Sequence, residues 1–133
     1  MQYLEILIAA IAAFLLGFAW YTALFGKEWQ RLTGVTDAQA QSGMAFTHGL
    51  AFLMMLIMAY GIDFIVNLHA IEDQTFIHGA FHGILSCALS ALPALIIHYS
   101  YQKKSPKLMM IDGSYVLVFC ALMGGILAAL KLG

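Results

Sequence analysis

Charge is what this sequence has least of. Only 10% of its 133 residues are charged, where a soluble domain carries about 25%. So few ionic groups cannot keep a chain that is 62% hydrophobic dispersed in water, which excludes an ordinary soluble domain. A bilayer accepts such a chain, because lipid solvates apolar surface on every side of a helix. Proline is scarce as well, with two residues, so long segments run without a backbone breaker. Cysteine is limited to Cys87 and Cys120. Two residues make no disulfide scaffold, and both read as small buried apolar residues rather than as a bridge. The net charge of −1 leaves no basic footprint for nucleic acid. No basic leader and no small-residue cleavage site sets off the first apolar run, which reads as a retained span rather than a removable signal.

What the chain does have is long apolar segments. A helical span needs about 20 such residues, and four segments qualify, at approximately 3–25, 44–66, 76–99 and 109–130. They are apolar all round, unlike the alternating strands of a membrane barrel. The expected fold is therefore all-α: a single integral membrane four-helix bundle over residues 1–133. Five of the six basic residues fall in two loops, with Lys27 and Arg31 in the first and Lys103, Lys104 and Lys107 in the third. The second loop has Glu72 and Asp73 instead, and Lys131 alone marks the C-terminal end. The positive-inside rule then makes loops 26–43 and 100–108 cytoplasmic and puts both termini outside.

Local signals refine the ends. Thr36-Asp37-Ala38-Gln39 is a capping box that starts the second helix near Asp37. Asp73 is the expected N-cap of the third helix, and Ser105-Pro106 supplies an N-cap and an N1 proline for the fourth. Pro93 should kink the third span. Trp20, Tyr21 and Trp29 suit an inner aromatic belt, and Lys27 to Leu32 can lie flat on the membrane.

Small residues give each span a packing face. These are Ala9, Ala13 and Gly17 on the first, Ala45 and Gly49 on the second, Gly79 and Gly83 on the third, and Gly124 and Gly125 on the fourth. Such faces serve the bundle itself or a homo-oligomer, with a dimer favoured. Met44, Met54, Met55 and Met58 crowd the second span, as gap-filling core or as thioether ligands for a soft metal.

Ionisable groups inside spans are costly and mark function or paired structure. They form two layers here. The outer layer holds Asp63, His78 and His82, with Ser86 and Ser90 continuing the same face of the third helix. Histidines at i and i+4 can share a divalent metal if a third ligand approaches. Asp63 is at a compatible depth for that role, and His69 and Glu72 in the outer loop can add to it. Gly79 and Ala80 follow His78, so the glutamate base of H-E-x-x-H is missing. The inner layer holds His48, Asp112 and Tyr115, with His98 at its border. A His48–Asp112 pair would exchange protons near neutral pH. On an ideal helix His48 and Asp63 project within about 60° of each other, as a polar path with two mouths or two unconnected structural pairs would require.

The segment Gly17-Phe18-Ala19-Trp20-Tyr21-Thr22-Ala23-Leu24-Phe25-Gly26-Lys27-Glu28-Trp29 resembles a signature of the bacterial membrane family called domain of unknown function 1761. The stretch Leu108 to Tyr115 and the later Met123-Gly124-Gly125-Ile126-Leu127 are similar to it as well. The resemblance implies a four-helix protein of a bacterial inner membrane. Physically, the signature residues Gly17, Trp20, Tyr21, Phe25, Gly26, Lys27 and Trp29 suit a structural anchor, with Gly26 ending the first helix, and a binding role for Trp20 and Tyr21 is the alternative. Asp112 and the His78–His82 pair depart from the family pattern.

Three functions fit these residues. The first, which the residues favour among active roles, is an oligomeric transporter or permeation protein for a small polar solute, ion or proton, using His48, Asp63, His78, His82, Asp112 and Tyr115. The carboxylate deep in the first span that small four-helix exporters use is missing, since Glu5 lies at its outer end. The second is a metal-binding membrane protein or enzyme built on His78, His82 and Asp63, a divalent metal being the one cofactor the residues suggest. The third is an accessory protein acting through helix packing in the lipid bilayer. No nucleophile–base pair, phosphate loop or cofactor motif favours an enzyme.

Overall fold

In the computed structural model, which describes residues 2–130, four helices are long and apolar enough to cross a membrane. They are Tyr3–Leu24, Met44–Val66, Phe76–Tyr101 and Pro106–Ala129, close to the segments hydropathy marks. Lys131 lies outside the described residues. The first span is α1 (Gln2–Ala19) continued by a π-helical turn, Trp20–Leu24. Two short helices, α2 (Gly26–Thr33) and α3 (Asp37–Gln41), cross to α4 (Met44–Val66), the second span. The third span is α5 (Phe76–Leu89) plus α6 (Ala91–Tyr101), and the fourth is α7 (Pro106–Ala129).

The fourth span is the hub, with 56% of its apolar window buried against 22%, 22% and 11% for the first three. α5 and α1 both lie along it, and α4 packs on α1 and α7. Glycine explains why α5 comes closest. A Cβ on Gly79 would run into the Gly124 carbonyl and the Ala128 methyl, and one on Gly83 into the Cys120 carbonyl. The helices therefore touch backbone to backbone, the contact that small-xxx-small faces allow in lipid. On α1, Ala9 and Ala13 are fully buried, and Gly17 leaves room for the Tyr115 ring. By contrast Ala45 and Gly49 are exposed, and a Cβ on Gly49 meets nothing within 4 Å.

That close approach overturns the reading of the cysteines. Cys87 and Cys120 are joined in a disulfide, with Cα atoms 6.6 Å apart, inside the usual span for such a bond. Spacing along the chain cannot foresee it, because the pairing follows from which glycine faces which. The bridge belongs to a buried core cluster that also holds Ala59, Phe119 and Met123.

The helix ends agree with the sequence in part. Thr36 and Gln39 form the full capping box, but it starts only the five-residue α3. Gly43 then takes a left-handed φ of 64°, a conformation glycine adopts without strain, and the second span begins at Met44. Thr75, not Asp73, caps α5 through its hydroxyl. Ser105 caps α7 with Pro106 in the first turn, as expected. Gly26 opens α2 rather than ending α1, and a Cβ there would press within 2.5 Å of the Tyr21 carbonyl oxygen. The third span breaks at Ser90, three residues before Pro93, whose ring cannot fit against an unbroken preceding turn.

Candidate functional site: three histidines at one end, a tyrosine–aspartate lock at the other

The end of the bundle that carries the α4–α5 loop gathers three imidazoles. His78 and His82 sit one turn apart on α5, and His69 swings in from the turn after α4. Their ligand-capable atoms lie within 4.8 Å of one another. The partners of the rings fix their tautomers. The Nδ1–H of His69 donates to the Ile65 carbonyl at 3.1 Å, and that of His78 donates to the Asp73 carbonyl at 2.5 Å. A carbonyl only accepts, so both rings carry their proton on Nδ1 and keep an unshared pair on Nε2. The His82 Nε2–H then donates to His78 Nε2 at 2.8 Å. The α4–α5 loop is itself braced, with Gln74 donating to the His69 carbonyl at 2.9 Å. A cavity of about 10 Å³, bordered by these rings with Gln74, Gly79 and Ala128, has room for about one water-sized sphere.

Asp63 takes no part in that set. It is 2% exposed and accepts from Asn67 at 3.0 Å, one turn along α4. His69 stands where the sequence suggested Asp63. Its only sequence signal was its place in the outer loop. Ser86 and Ser90 continue the face below His82, each donating to the carbonyl one turn back.

The opposite end is organised around Asp112, 7% exposed. The Tyr21 hydroxyl donates to its Oδ1 at 2.5 Å and the Tyr99 hydroxyl to its Oδ2 at 2.6 Å. The expected His48–Asp112 pair is absent: Asp112 takes the two tyrosine hydroxyls, and the His48 ring turns to the exposed face of α4 instead. His48 is exposed and sets its ring edgewise to Phe14, 5.7 Å away. His48 and Asp63 thus do not share an interior face, and His98 is exposed too. Tyr21 sits in the π turn that the Phe25 N–H closes on the Trp20 carbonyl, and its neighbour Trp20 reaches the same partner helix. Trp20 donates from Nε1 to the Ile111 carbonyl at 3.1 Å, beside Tyr21 on Asp112. Tyr115 donates to the Ala13 carbonyl at 2.9 Å, a contact Gly17 permits, since a Cβ there would meet the Tyr115 hydroxyl. Trp29 stacks edgewise on Tyr21, with ring centroids 5.8 Å apart. Of the methionines, Met55 and Met58 pack against the core, whereas Met44 and Met54 are exposed.

Glu28 on α2 binds Arg31 and also Lys107 of α7, the latter at 2.7 Å. The first and third loops therefore share one end of the bundle. The Arg31 and Lys107 hydrogen bonds hold the Glu28 carboxyl down from its ordinary 4.5 to about 2. Because the folded value is depressed, the tie is complete above the ordinary glutamate range and is lost as pH falls through about 2. A carboxyl-carbon NMR titration of Glu28 in detergent should show that midpoint, and Lys107→Gln should raise it.

The helices define a multi-pass membrane protein, a four-helix bundle with a polar cluster at each end. Within that class the chain belongs to the family described as Protein of unknown function (DUF1761), which matches residues 4–128. No curated protein and no solved structure matches it.

Proposed function

We propose that this is a metal-binding membrane protein, with a divalent transition-metal ion held by His69, His78 and His82. The observation that carries the reading is the fixed tautomer of two rings. His69 and His78 both spend Nδ1–H on backbone carbonyls and offer Nε2 to the same small space. Ligating histidines are oriented by the same kind of outer hydrogen bond. Three nitrogens on a tetrahedral ion at about 2.0 Å stand about 3.3 Å apart. Half-buried rings reach that spacing from 4.8 Å by side-chain rotation. His82 must give up its Nε2 proton or turn its other nitrogen inward, so acid competes with the metal. Three neutral imidazoles favour zinc, copper, nickel or cobalt over the oxygen-seeking magnesium and calcium.

The basic residues Lys27, Arg31, Lys103, Lys104 and Lys107 belong to the opposite end of the bundle. By the positive-inside rule the histidines face outward from a bacterial inner membrane. Transport through a single copy is the weaker reading, because buried Ala59, Phe119, Cys120 and Met123 fill the interior between the polar layers.

The test is metal titration of the purified protein in detergent, with elemental analysis after gel filtration. We expect about one zinc, copper, nickel or cobalt ion per chain. Outer-layer changes around metal sites typically cost 10- to 100-fold, so His69→Ala and His82→Ala, which remove ligands, should each weaken binding by more than about 100-fold. Asp63→Asn should not. Retained stoichiometric binding in His82→Ala would end the proposal.

A further inference from the structure

The Cys87–Cys120 disulfide lies near the middle of the third and fourth spans. Cysteine enters every new chain as a thiol, so this pair must lose two electrons and two protons at a depth that water-soluble oxidants do not reach. Cys120 is fully buried and Cys87 nearly so. Yet Cys87 forms part of the wall of a cavity of about 220 Å³, lined also by Met58, Gly61, Ile62, Ser86 and Ser90. The cavity lies between α4 and α5, and Gly61 and Ser90 on its rim are exposed, on a surface that faces lipid in a membrane-spanning bundle. Its lining is apolar apart from two hydroxyls one turn apart. Ser86 Oγ–H donates to the His82 carbonyl at 2.6 Å and Ser90 Oγ–H to the Ser86 carbonyl at 2.5 Å. Both hydroxyl protons are committed, so the serine oxygens offer only unshared pairs. A molecule suited to this space is apolar, ring-sized, supplied from the bilayer, and carries O–H donors in one of its states.

We propose that Cys87 and Cys120 form a membrane-embedded redox couple whose electron acceptor is a lipid-soluble quinone bound in this cavity. The two S–H bonds break and the S–S bond forms. The two electrons and two protons pass to the two quinone oxygens, leaving a hydroquinone whose hydroxyls can donate to Ser86 and Ser90. Cys87, which lines the cavity, is the sulfur that meets the quinone, and Cys120 closes the bond from behind. This site is separate from the three histidines and stands whether or not they hold a metal.

The experiment uses the full chain in anaerobic phospholipid vesicles, reduced with tributylphosphine. A decyl-substituted benzoquinone or ferricyanide is added in equal oxidising equivalents. Disulfide closure is read by thiol alkylation and mass, and hydroquinone by absorbance. We expect the quinone to close the bond at least tenfold faster than ferricyanide, with one hydroquinone formed per disulfide, and Cys120→Ser to form none. Gly61→Phe puts a ring into the cavity from a position where a Cβ meets nothing within 4 Å. It should slow closure by the quinone at least tenfold while closure by molecular iodine, a small apolar oxidant, keeps the wild-type rate. Ferricyanide or air alone matching the quinone, closure without hydroquinone, or a Gly61→Phe protein that the quinone closes at the wild-type rate would each overturn the proposal.

Discussion

Gly83→Leu is expected to separate α5 from α7 and to leave most of the protein without its disulfide. A Cβ at position 83 already collides with the Cys120 carbonyl, and a carbonyl in a helix cannot rotate away as a side chain can. The same crossing is pinned one turn further on by Gly79 against Gly124, so the helices cannot tilt to relieve one contact without straining the other. They must move apart, which opens a gap along the most closely packed pair in the bundle. Overpacking a tight core costs about 3 kcal/mol at its upper usual range, and the lost dispersion contacts add to that. Cys87 follows Gly83 by one turn on the same face, so its sulfur is carried away from Cys120. Melting in detergent and non-reducing mass analysis read the two consequences separately. Gly49→Leu is the control, since nothing lies within 4 Å of a Cβ there. Equal melting temperatures for the two variants would refute the backbone-contact account.

The contrast between Gly83 and Gly49 also shows where the sequence was legible. Both belong to small-residue motifs, and hydropathy places both inside spans. Only the assembled bundle tells them apart, because a motif states that a close approach is permitted and not which helix takes it. The same limit hid the disulfide. Spans, the Thr36 and Ser105 caps and the basic loops were readable because each depends on local spacing or composition. The histidine cluster was half readable. The i, i+4 relation of His78 and His82 is local, but His69 joins them through the fold of a loop. Asp63, at the right depth, turned instead to Asn67. The inner layer was the least legible. A π turn has no composition signal, and Asp112 takes Tyr21 from that turn and Tyr99 from the third span in place of the expected His48.

Those two contacts make Asp112 the residue whose loss should be felt furthest. In Asp112→Ala the hydroxyls of Tyr21 and Tyr99 lose their common acceptor at once. Each stranded polar group costs about 1–3 kcal/mol, and in a bilayer little water is available to replace the lost partner. Together they give an expected destabilisation of about 4 kcal/mol. The two tyrosines come from the first and third spans and the aspartate from the fourth, so the loss unpins three of the four helices at one end. Asp112→Asn should be far milder, because its amide still accepts one hydroxyl and can donate to the other oxygen. Tyr21→Phe and Tyr99→Phe should each cost about 2 kcal/mol, the range for a hydrogen bond to a charged group. In the Asp112→Ala background either change should become neutral or favourable, because it removes a hydroxyl that no longer has a partner. A double-mutant cycle on thermal unfolding measures that reversal. Additive costs would mean that the three residues act independently, and the lock would have to be abandoned as the organising contact of this end of the bundle.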